Sequence, residues 1–185
     1  MRCFVAVDVS PGVRQRLAEV QARLRKAAPG ADVRWTRPEA LHLTLKFLGE
    51  VPDAEVGAVE RALAEAAAGR GRMRLVARGV GGFPSARRPR VVWVGVGGDV
   101  DALGRLAAAV ERTVAPLGHP AEGRGFTAHL TLGRVRVPAR GPLGDAIAAV
   151  SDVDAGTWDV GDVVLYRSRL RPTGAVYEAV ARVPL

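Results

Sequence analysis

The sequence predicts a mixed α/β or α+β protein made of two closely packed lobes. Apolar runs typical of strands alternate with helical patterns along its 185 residues. The tetrapeptide His-Leu-Thr-Leu occurs twice, at 42–45 and 129–132, and the predicted elements around both copies follow the same order. This internal repeat indicates a duplication. No linker is long or polar enough to separate independent domains, so we expect one domain over 1–185.

The first half is predicted to contain strand, helix, strand, helix and strand. Its opening apolar strand includes Cys3, and Ser10 can cap the first helix with Pro11 in the first position. We expect the remaining elements as a strand over 41–48, a helix opened by Pro52-Asp53 and a strand over 73–80.

The second half repeats this order after a Gly-, Pro- and Arg-rich connection over 81–90. We expect the lobes to cover about 1–85 and 90–185, with strand exchange between them allowed. The predicted elements are a strand over 90–97, a helix capped by Asp99 or Asp101, a strand over 127–135, a short helix over 142–150 and strands over 159–167 and 175–183.

Composition bounds the function only loosely. The formal net charge of +8 favours a polyanionic partner, but 25 of the 27 basic residues are arginine, a bias that also raises charge without selection for binding. No apolar run approaches membrane-spanning length, and the start is too short and too soon charged for a signal peptide. With one cysteine, Cys3, expected as a buried thiol, we expect a cytoplasmic protein, and a monomer.

Each His-Leu-Thr-Leu copy presents an imidazole and a hydroxyl on one face of its strand, because residues two apart in a strand point the same way. His42 and Thr44 form the first pair, and His129 and Thr131 form the second. Since the copies occupy matching places in the two halves, the two strands could face each other across a cleft.

That arrangement suits the cleavage of a phosphodiester. One imidazole can take a proton from the attacking oxygen while the other protonates the departing oxygen, since the unperturbed pKa of about 6.5 permits either role. Threonine hydroxyls can donate hydrogen bonds to the non-bridging oxygens, where negative charge accumulates. No metal or other cofactor is needed for this chemistry.

Two other interpretations of these histidines are weaker. A single strand histidine is more often a packed or surface residue, but the repeat uses two of only three histidines. A zinc site usually needs three or four ligands, and neither copy has a second His, Cys or acidic residue nearby on its face. The third histidine, His119, has no threonine partner and is predicted to lie in a loop.

The motifs resemble those of the 2H phosphoesterase superfamily, specifically its RNA 2′,3′-cyclic phosphodiesterase branch, also called the bacterial 2′-5′ RNA ligase family. The resemblance covers nearly the whole chain, and one departure is Ala128, where proline is expected. It is carried by Arg2-x-Phe4-x-Ala6, Trp35, the stretch from His42 to Glu50, Phe83-Pro84, Arg90-Val-Val-Trp93-Val-Gly95, Phe126-Thr-Ala-His129-Leu-Thr-Leu-Gly-Arg134 and Leu165-Tyr-Arg-Ser168-x-Leu170-x-Pro172-x-Gly174-x-x-Tyr177.

The resemblance implies a bilobal α+β fold with pseudo-twofold symmetry, in which two antiparallel-rich sheets with outer helices form a central cleft. It implies hydrolysis of RNA 2′,3′-cyclic phosphate ends to 2′-phosphates, and some members also join tRNA halves through a reversible 2′-5′ linkage. It implies that Arg134 binds the substrate phosphate. Because Arg134 is an odd number of residues past His129, a bulge or twist would be needed to turn it toward the same face.

Further RNA contacts can be expected around the cleft. Arg87, Arg88 and Arg90 could hold backbone phosphates, and Phe83 or Phe126 could stack on a base, although core packing is the more ordinary role of a phenylalanine. Two alternative functions stay open: a non-catalytic RNA-binding module, and a phosphodiesterase acting on a small cyclic nucleotide derivative.

Overall fold

Two antiparallel sheets and four α-helices make up the structure, a computed structural model that describes residues 1–121, 123, 125–137, 141–171 and 174–185. Pro172 of the closing motif lies outside these residues. The strands are β1 (Arg2–Asp8), β2 (Val33–Trp35), β3 (His42–Glu50), β4 (Met73–Phe83), β5 (Val91–Gly98), β6 (His129–Val135), β7 (Asp154–Val160), β8 (Asp162–Arg171) and β9 (Gly174–Pro184). The helices are α1 (Pro11–Ala27), α2 (Val56–Ala67), α3 (Val100–Val114) and α4 (Pro142–Ala148).

The four-stranded sheet has the order β3-β1-β8-β9, and the five-stranded sheet has the order β2-β6-β5-β4-β7. Apart from the extra edge strand β2, the two orders correspond: each motif strand, β3 or β6, pairs with the first strand of its half. Strands from both halves of the chain occupy each sheet, since β4 joins the second sheet and β8 and β9 join the first. The α+β fold with pseudo-twofold symmetry is therefore confirmed.

Helices cover the outer faces of the sheets. Helix α1 contacts β7 and α4 contacts β4 of the five-stranded sheet, whereas α2 contacts β8 and β9 and α3 contacts β3 of the four-stranded sheet. Each α-helix buries an apolar face, which in α1 includes Val13, Leu17 and Leu24. This continuous core leaves the opposite faces of β3 and β6 available to form a site.

Most predicted elements are confirmed, and three details were wrong. One strand was expected over 159–167, but the chain forms two, β7 and β8, separated by Gly161 alone. The short edge strand β2 was not predicted. Asp99, one of the two residues predicted to cap α3, occupies the N-cap position, but its carboxylate accepts a hydrogen bond from the Arg74 backbone N–H instead of from the helix.

Two predictions for the start of the chain, the cap of α1 and the burial of Cys3, are confirmed. The Ser10 hydroxyl accepts a hydrogen bond from the Val13 backbone N–H at 3.4 Å, with Pro11 in the first turn of α1. Cys3 is 2% exposed, and burial raises the pKa of its thiol. No helix among the described residues is both long and apolar enough to cross a bilayer.

Candidate active site

A cavity of about 1050 Å³ lies where β3 and β6 approach each other from the two sheets. Eight of the predicted site residues line it: His42, Thr44, Phe83, Arg90, Phe126, His129, Thr131 and Arg134. Arg87 and Arg88 are exposed on the connection between β4 and β5 and do not belong to the lining. The chain therefore brings both imidazole–hydroxyl pairs into one space.

Both histidine rings are held in the same way. The Nδ1 of His42 lies 2.7 Å from the carbonyl oxygen of Ala40, and the Nδ1 of His129 lies 2.7 Å from that of Thr127. Because a carbonyl can only accept a hydrogen bond, each Nδ1 carries a proton and donates it. The neutral tautomer thus has a basic Nε2, which is the atom left for a substrate.

The surroundings of the two rings differ. Phe4 stacks on His42 at 4.6 Å between ring centroids, and Tyr177 meets the His42 ring edge-on at 5.0 Å. Burial in this aromatic bed lowers the pKa of His42 to about 4, against an opposing contribution from the Ala40 hydrogen bond. Of the aromatic rings in the described residues, Phe83 alone packs against His129, edge-on at 5.2 Å.

An acidic group lies opposite His42. Asp8 is its cross-strand partner on β1, and the Asp8 carboxylate accepts a hydrogen bond from the Tyr166 hydroxyl and pairs with Arg182 at 2.8 Å. Burial, followed by the Asp8 contacts, raises the pKa of Tyr166 to about 12. The phenol therefore stays protonated and supports the Phe4 ring, on which it stacks.

A β-bulge turns Arg134 toward the cavity. In the β5–β6 ladder Trp93 opposes Thr131 and Val91 opposes Arg134, so Leu132 is an extra residue between them. The bulge shifts the alternation of side chains by one residue, and Arg134 shares a face with His129 and Thr131. This supplies the bulge that the odd spacing in the sequence required.

Gln21 of α1 holds this bulge. The residue is 2% exposed, and its side-chain amide donates hydrogen bonds to the Leu132 carbonyl at 2.8 Å and to the Thr36 carbonyl at 2.7 Å. The adjacent Gly133 has no room for a side chain, because a Cβ there would lie 2.8 Å from Val33 Cγ1 on β2. Helix α1 and strand β2 thus fix the backbone that presents Arg134.

The first motif strand contains the corresponding bulge. It turns Phe47, which was not predicted as a site residue, toward the cavity. Ala6 opposes Thr44 and Phe4 opposes Phe47, with Leu45 as the extra residue in this part of the ladder. Phe47 therefore shares the face of His42 and Thr44, lines the cavity and is 57% exposed. An alignment of the two His-Leu-Thr-Leu copies places Phe47 at the position equivalent to Arg134.

The remaining predicted residues have mixed roles. Phe83 is half-buried between His129 and Trp93, whereas Phe126 is 38% exposed on the cavity wall. His119 lies in a loop, as predicted, but is buried, with its Nδ1 2.9 Å from the Leu48 carbonyl. In the part of the chain that the structure describes, no three His, Cys, Asp or Glu side chains group as metal ligands.

The duplicated α+β fold, with paired histidines and threonines in one cleft, defines a phosphoesterase of the two-histidine class. Comparison with known proteins agrees: the model of the LigT like phosphoesterase family matches residues 7–93 and 96–177. The chain belongs to this family.

Relatives match over nearly their whole length. A Methanothermobacter thermautotrophicus protein is 34% identical, with 96% of this chain and 95% of the relative covered, and an Archaeoglobus fulgidus protein is 36% identical, with 96% and 97% covered. Both are named RNA 2′,3′-cyclic phosphodiesterase.

Crystal structures show the same fold. A Thermus thermophilus protein superimposes with a TM-score of 0.82 at 32% identity, covering 100% of this chain and 98% of that one. Escherichia coli LigT complexed with 3′-AMP superimposes with a TM-score of 0.77 at 26% identity, covering 100% and 97%.

Proposed function

We propose that this protein hydrolyses the 2′,3′-cyclic phosphate at an RNA end to a 2′-phosphate, without a metal ion. The observation that carries the proposal is the pair of histidines in one cavity, each with Nδ1 engaged by a carbonyl and with no hydrogen-bond partner at Nε2 among the described residues. The names of the curated relatives support the substrate class. The LigT complex with 3′-AMP supports a nucleotide-binding cleft.

In the proposed reaction, water attacks phosphorus and the bond from phosphorus to O3′ breaks. One Nε2 takes a proton from the attacking water, and the protonated Nε2 of the other ring delivers a proton to O3′. Either imidazole fits either role, since an anionic phosphate beside His42 would favour its charged form. In 2′-5′ joining of RNA ends, a 5′-hydroxyl would replace water as the attacking group and the same bond to O3′ would break, so the two roles would stay as they are. They would exchange in the reverse of joining, when O3′ attacks a 2′-5′ linkage and the 5′ oxygen departs.

The other cavity residues would bind the nucleotide. The Thr44 and Thr131 hydroxyls can donate to the non-bridging oxygens, and the Arg134 guanidinium can pair with them as their charge grows. Among the described residues, neither threonine hydroxyl has a hydrogen bond to the protein, so both are available.

Phe47 is suited to stack on the terminal base. Its ring lies 6.1 Å from that of Phe4, which itself stacks on His42, so Phe47 is within one nucleotide of the imidazole. An exposed aromatic ring stacks on any base, which fits an enzyme that recognises an RNA end rather than a sequence. Phe126 and Arg90 could contact the same nucleotide, whereas Arg87 and Arg88 would contact only nucleotides further along the RNA.

We further propose a cytoplasmic monomer that acts on RNA fragments, including those of tRNA. The single buried thiol of Cys3, which needs no oxidising compartment, supports the location. Sedimentation at micromolar concentration tests the oligomeric state.

The function is tested with an RNA oligomer that ends in a 2′,3′-cyclic phosphate. We expect conversion to the 2′-phosphate, identified by ³¹P NMR, with the same rate in EDTA. Rate loss in EDTA that zinc restores would overturn the metal-free mechanism. Salt-dependent binding without turnover would indicate an RNA-binding module, and a strong preference for a cyclic mononucleotide would indicate a small-molecule substrate.

A further inference from the structure

Lys46 is a buried charged residue in the first motif strand. It is 3% exposed, and its Nζ donates hydrogen bonds to Glu111 Oε2 at 2.9 Å and to the Pro120 carbonyl oxygen at 2.6 Å. Lysine is seldom fully buried unless it is paired. These two contacts therefore account for its position, and both lead away from β3, toward α3 and the segment that follows it.

The same strand holds that segment at a second point. Leu48, two residues beyond Lys46, accepts a hydrogen bond at its carbonyl from His119 Nδ1 at 2.9 Å. His119 is 7% exposed, so this contact is shielded from water. Two consecutive residues, His119 and Pro120, are thus fastened to the strand that carries His42.

The fastened residues begin the chain that leads to the second motif. Ala121, Gly125, Phe126 and Thr127 follow them and line the cavity. The Thr127 carbonyl in turn holds the Nδ1 of His129 at 2.7 Å. Lys46 therefore connects the strand of the first histidine with Pro120, seven residues before the Thr127 carbonyl that orients the second histidine.

Lys46 also balances a negative charge at the site. Glu111 lines the cavity that would receive an anionic phosphate, and its carboxylate pairs with Lys46. Removal of the ammonium group would leave this carboxylate facing the substrate. The equivalent position on β6 is Gly133, so the arrangement has no counterpart in the second motif.

We propose that Lys46 is a positioning residue, which clamps Pro120 to β3, supports the cavity-lining residues Ala121, Gly125, Phe126 and Thr127 that follow it, and neutralises Glu111. This role rests on the proposed function for its effect on the reaction, whereas the clamp itself can be observed without turnover.

Four variants test the proposal: K46M, K46R, E111Q and the double variant K46M/E111Q. We expect K46M to lower kcat on a 2′,3′-cyclic phosphate by roughly 10- to 100-fold with a smaller change in KM, because a misplacement of about 1 Å can cost that much. K46R keeps both hydrogen bonds and should stay within a few-fold of the wild type. The double variant should be more active than K46M, since it has no unpaired carboxylate.

Backbone ¹⁵N relaxation supplies a readout independent of activity. Heteronuclear NOEs at Phe126 and Thr127 should fall in K46M and persist in K46R, while thermal melting shows whether K46M is folded. Unchanged NOEs in K46M would overturn the clamp. Lower NOEs with unchanged kcat would overturn its role in the reaction. A wild-type protein without turnover would refute the proposed function, and the NOEs would still decide the clamp.

Discussion

Phe47 and Arg134 occupy equivalent positions in the two motif strands. Each lies five residues beyond its histidine, and each is turned toward the cavity by a bulge at the residue three beyond that histidine, Leu45 or Leu132. One half of the duplicated site thus presents an apolar ring where the other presents a cation. This asymmetry fits a terminal nucleotide, which has a flat base at one end and a phosphate at the other.

Replacement of Arg134 should weaken catalysis strongly. R134Q removes a charged donor from the phosphate, and we expect a loss of about 100-fold in kcat/KM, which corresponds to about 3 kcal/mol. The matched control is R136Q, because Arg136 is exposed, pairs loosely with Asp32 at 3.8 Å and does not line the cavity. Equal activity of R134Q and R136Q would remove Arg134 from the site.

Replacement of Phe47 should affect substrate binding. Stacking on a base contributes roughly 1–3 kcal/mol, so F47A should raise KM for the cyclic-phosphate RNA by about 5- to 100-fold, and F47W should not. An oligomer whose terminal nucleotide lacks a base provides the control. The wild type should bind this abasic oligomer as weakly as F47A binds the intact one. A further large loss when F47A meets this abasic substrate would contradict stacking.

Gln21 should influence catalysis from outside the cavity. Q21L leaves the Thr36 carbonyl without its buried donor and releases the Leu132 bulge, so we expect about 1–3 kcal/mol less free energy of unfolding. Because Arg134 follows this bulge, kcat/KM should also fall, by roughly 10-fold. In the R134Q background the additional effect of Q21L on kcat/KM should disappear, as a double-mutant cycle measures. Full additivity would separate Gln21 from Arg134.

The half-buried ring of His42 should make the fold sensitive to acid. Its pKa is lowered to about 4 by burial, whereas the unfolded chain titrates near 6.5, so between these values the unfolded state binds more protons. The free energy of unfolding should therefore fall as the pH drops from about 6.5 to 4, by up to about 3 kcal/mol from this residue. Urea titrations should show this loss in the wild type and a shallower one in H42Q. Parallel curves would contradict the lowered pKa.

Much of the site could be predicted from sequence because strand alternation is simple. The period of two places His42 with Thr44, and His129 with Thr131, on common faces, and the repeat indicates that the faces belong together. The odd spacing of Arg134 from His129 indicated a bulge, but its position could not be predicted, since an extra residue is defined only by the register of the partner strand. Phe47 was missed because the same spacing was not considered in the first copy.

Other features depend on contacts distant in sequence. Lys46 is one of only two lysines and interrupts an apolar run, but its partners lie 65 and 74 residues away. One strand was predicted where β7 and β8 form, because Gly161 alone separates them. Glycine and aspartate residues also interrupt the alternation that would have indicated β7 as a separate strand. The alignment of the two His-Leu-Thr-Leu copies indicates Phe47 as a site residue, because it lies five residues beyond its histidine, as Arg134 does.

The central claim, that both imidazoles act on one phosphorus atom, is tested by the turnover of H42A, H129A and H42A/H129A on RNA with a 2′,3′-cyclic phosphate end. Groups that act as a unit show non-additive effects. Each single variant should lose roughly 10³-fold or more in kcat with its fold intact. The kcat of the double variant should be about equal to that of the less active single variant. Substantial turnover by either single variant, or losses that multiply in the double variant, would contradict the account.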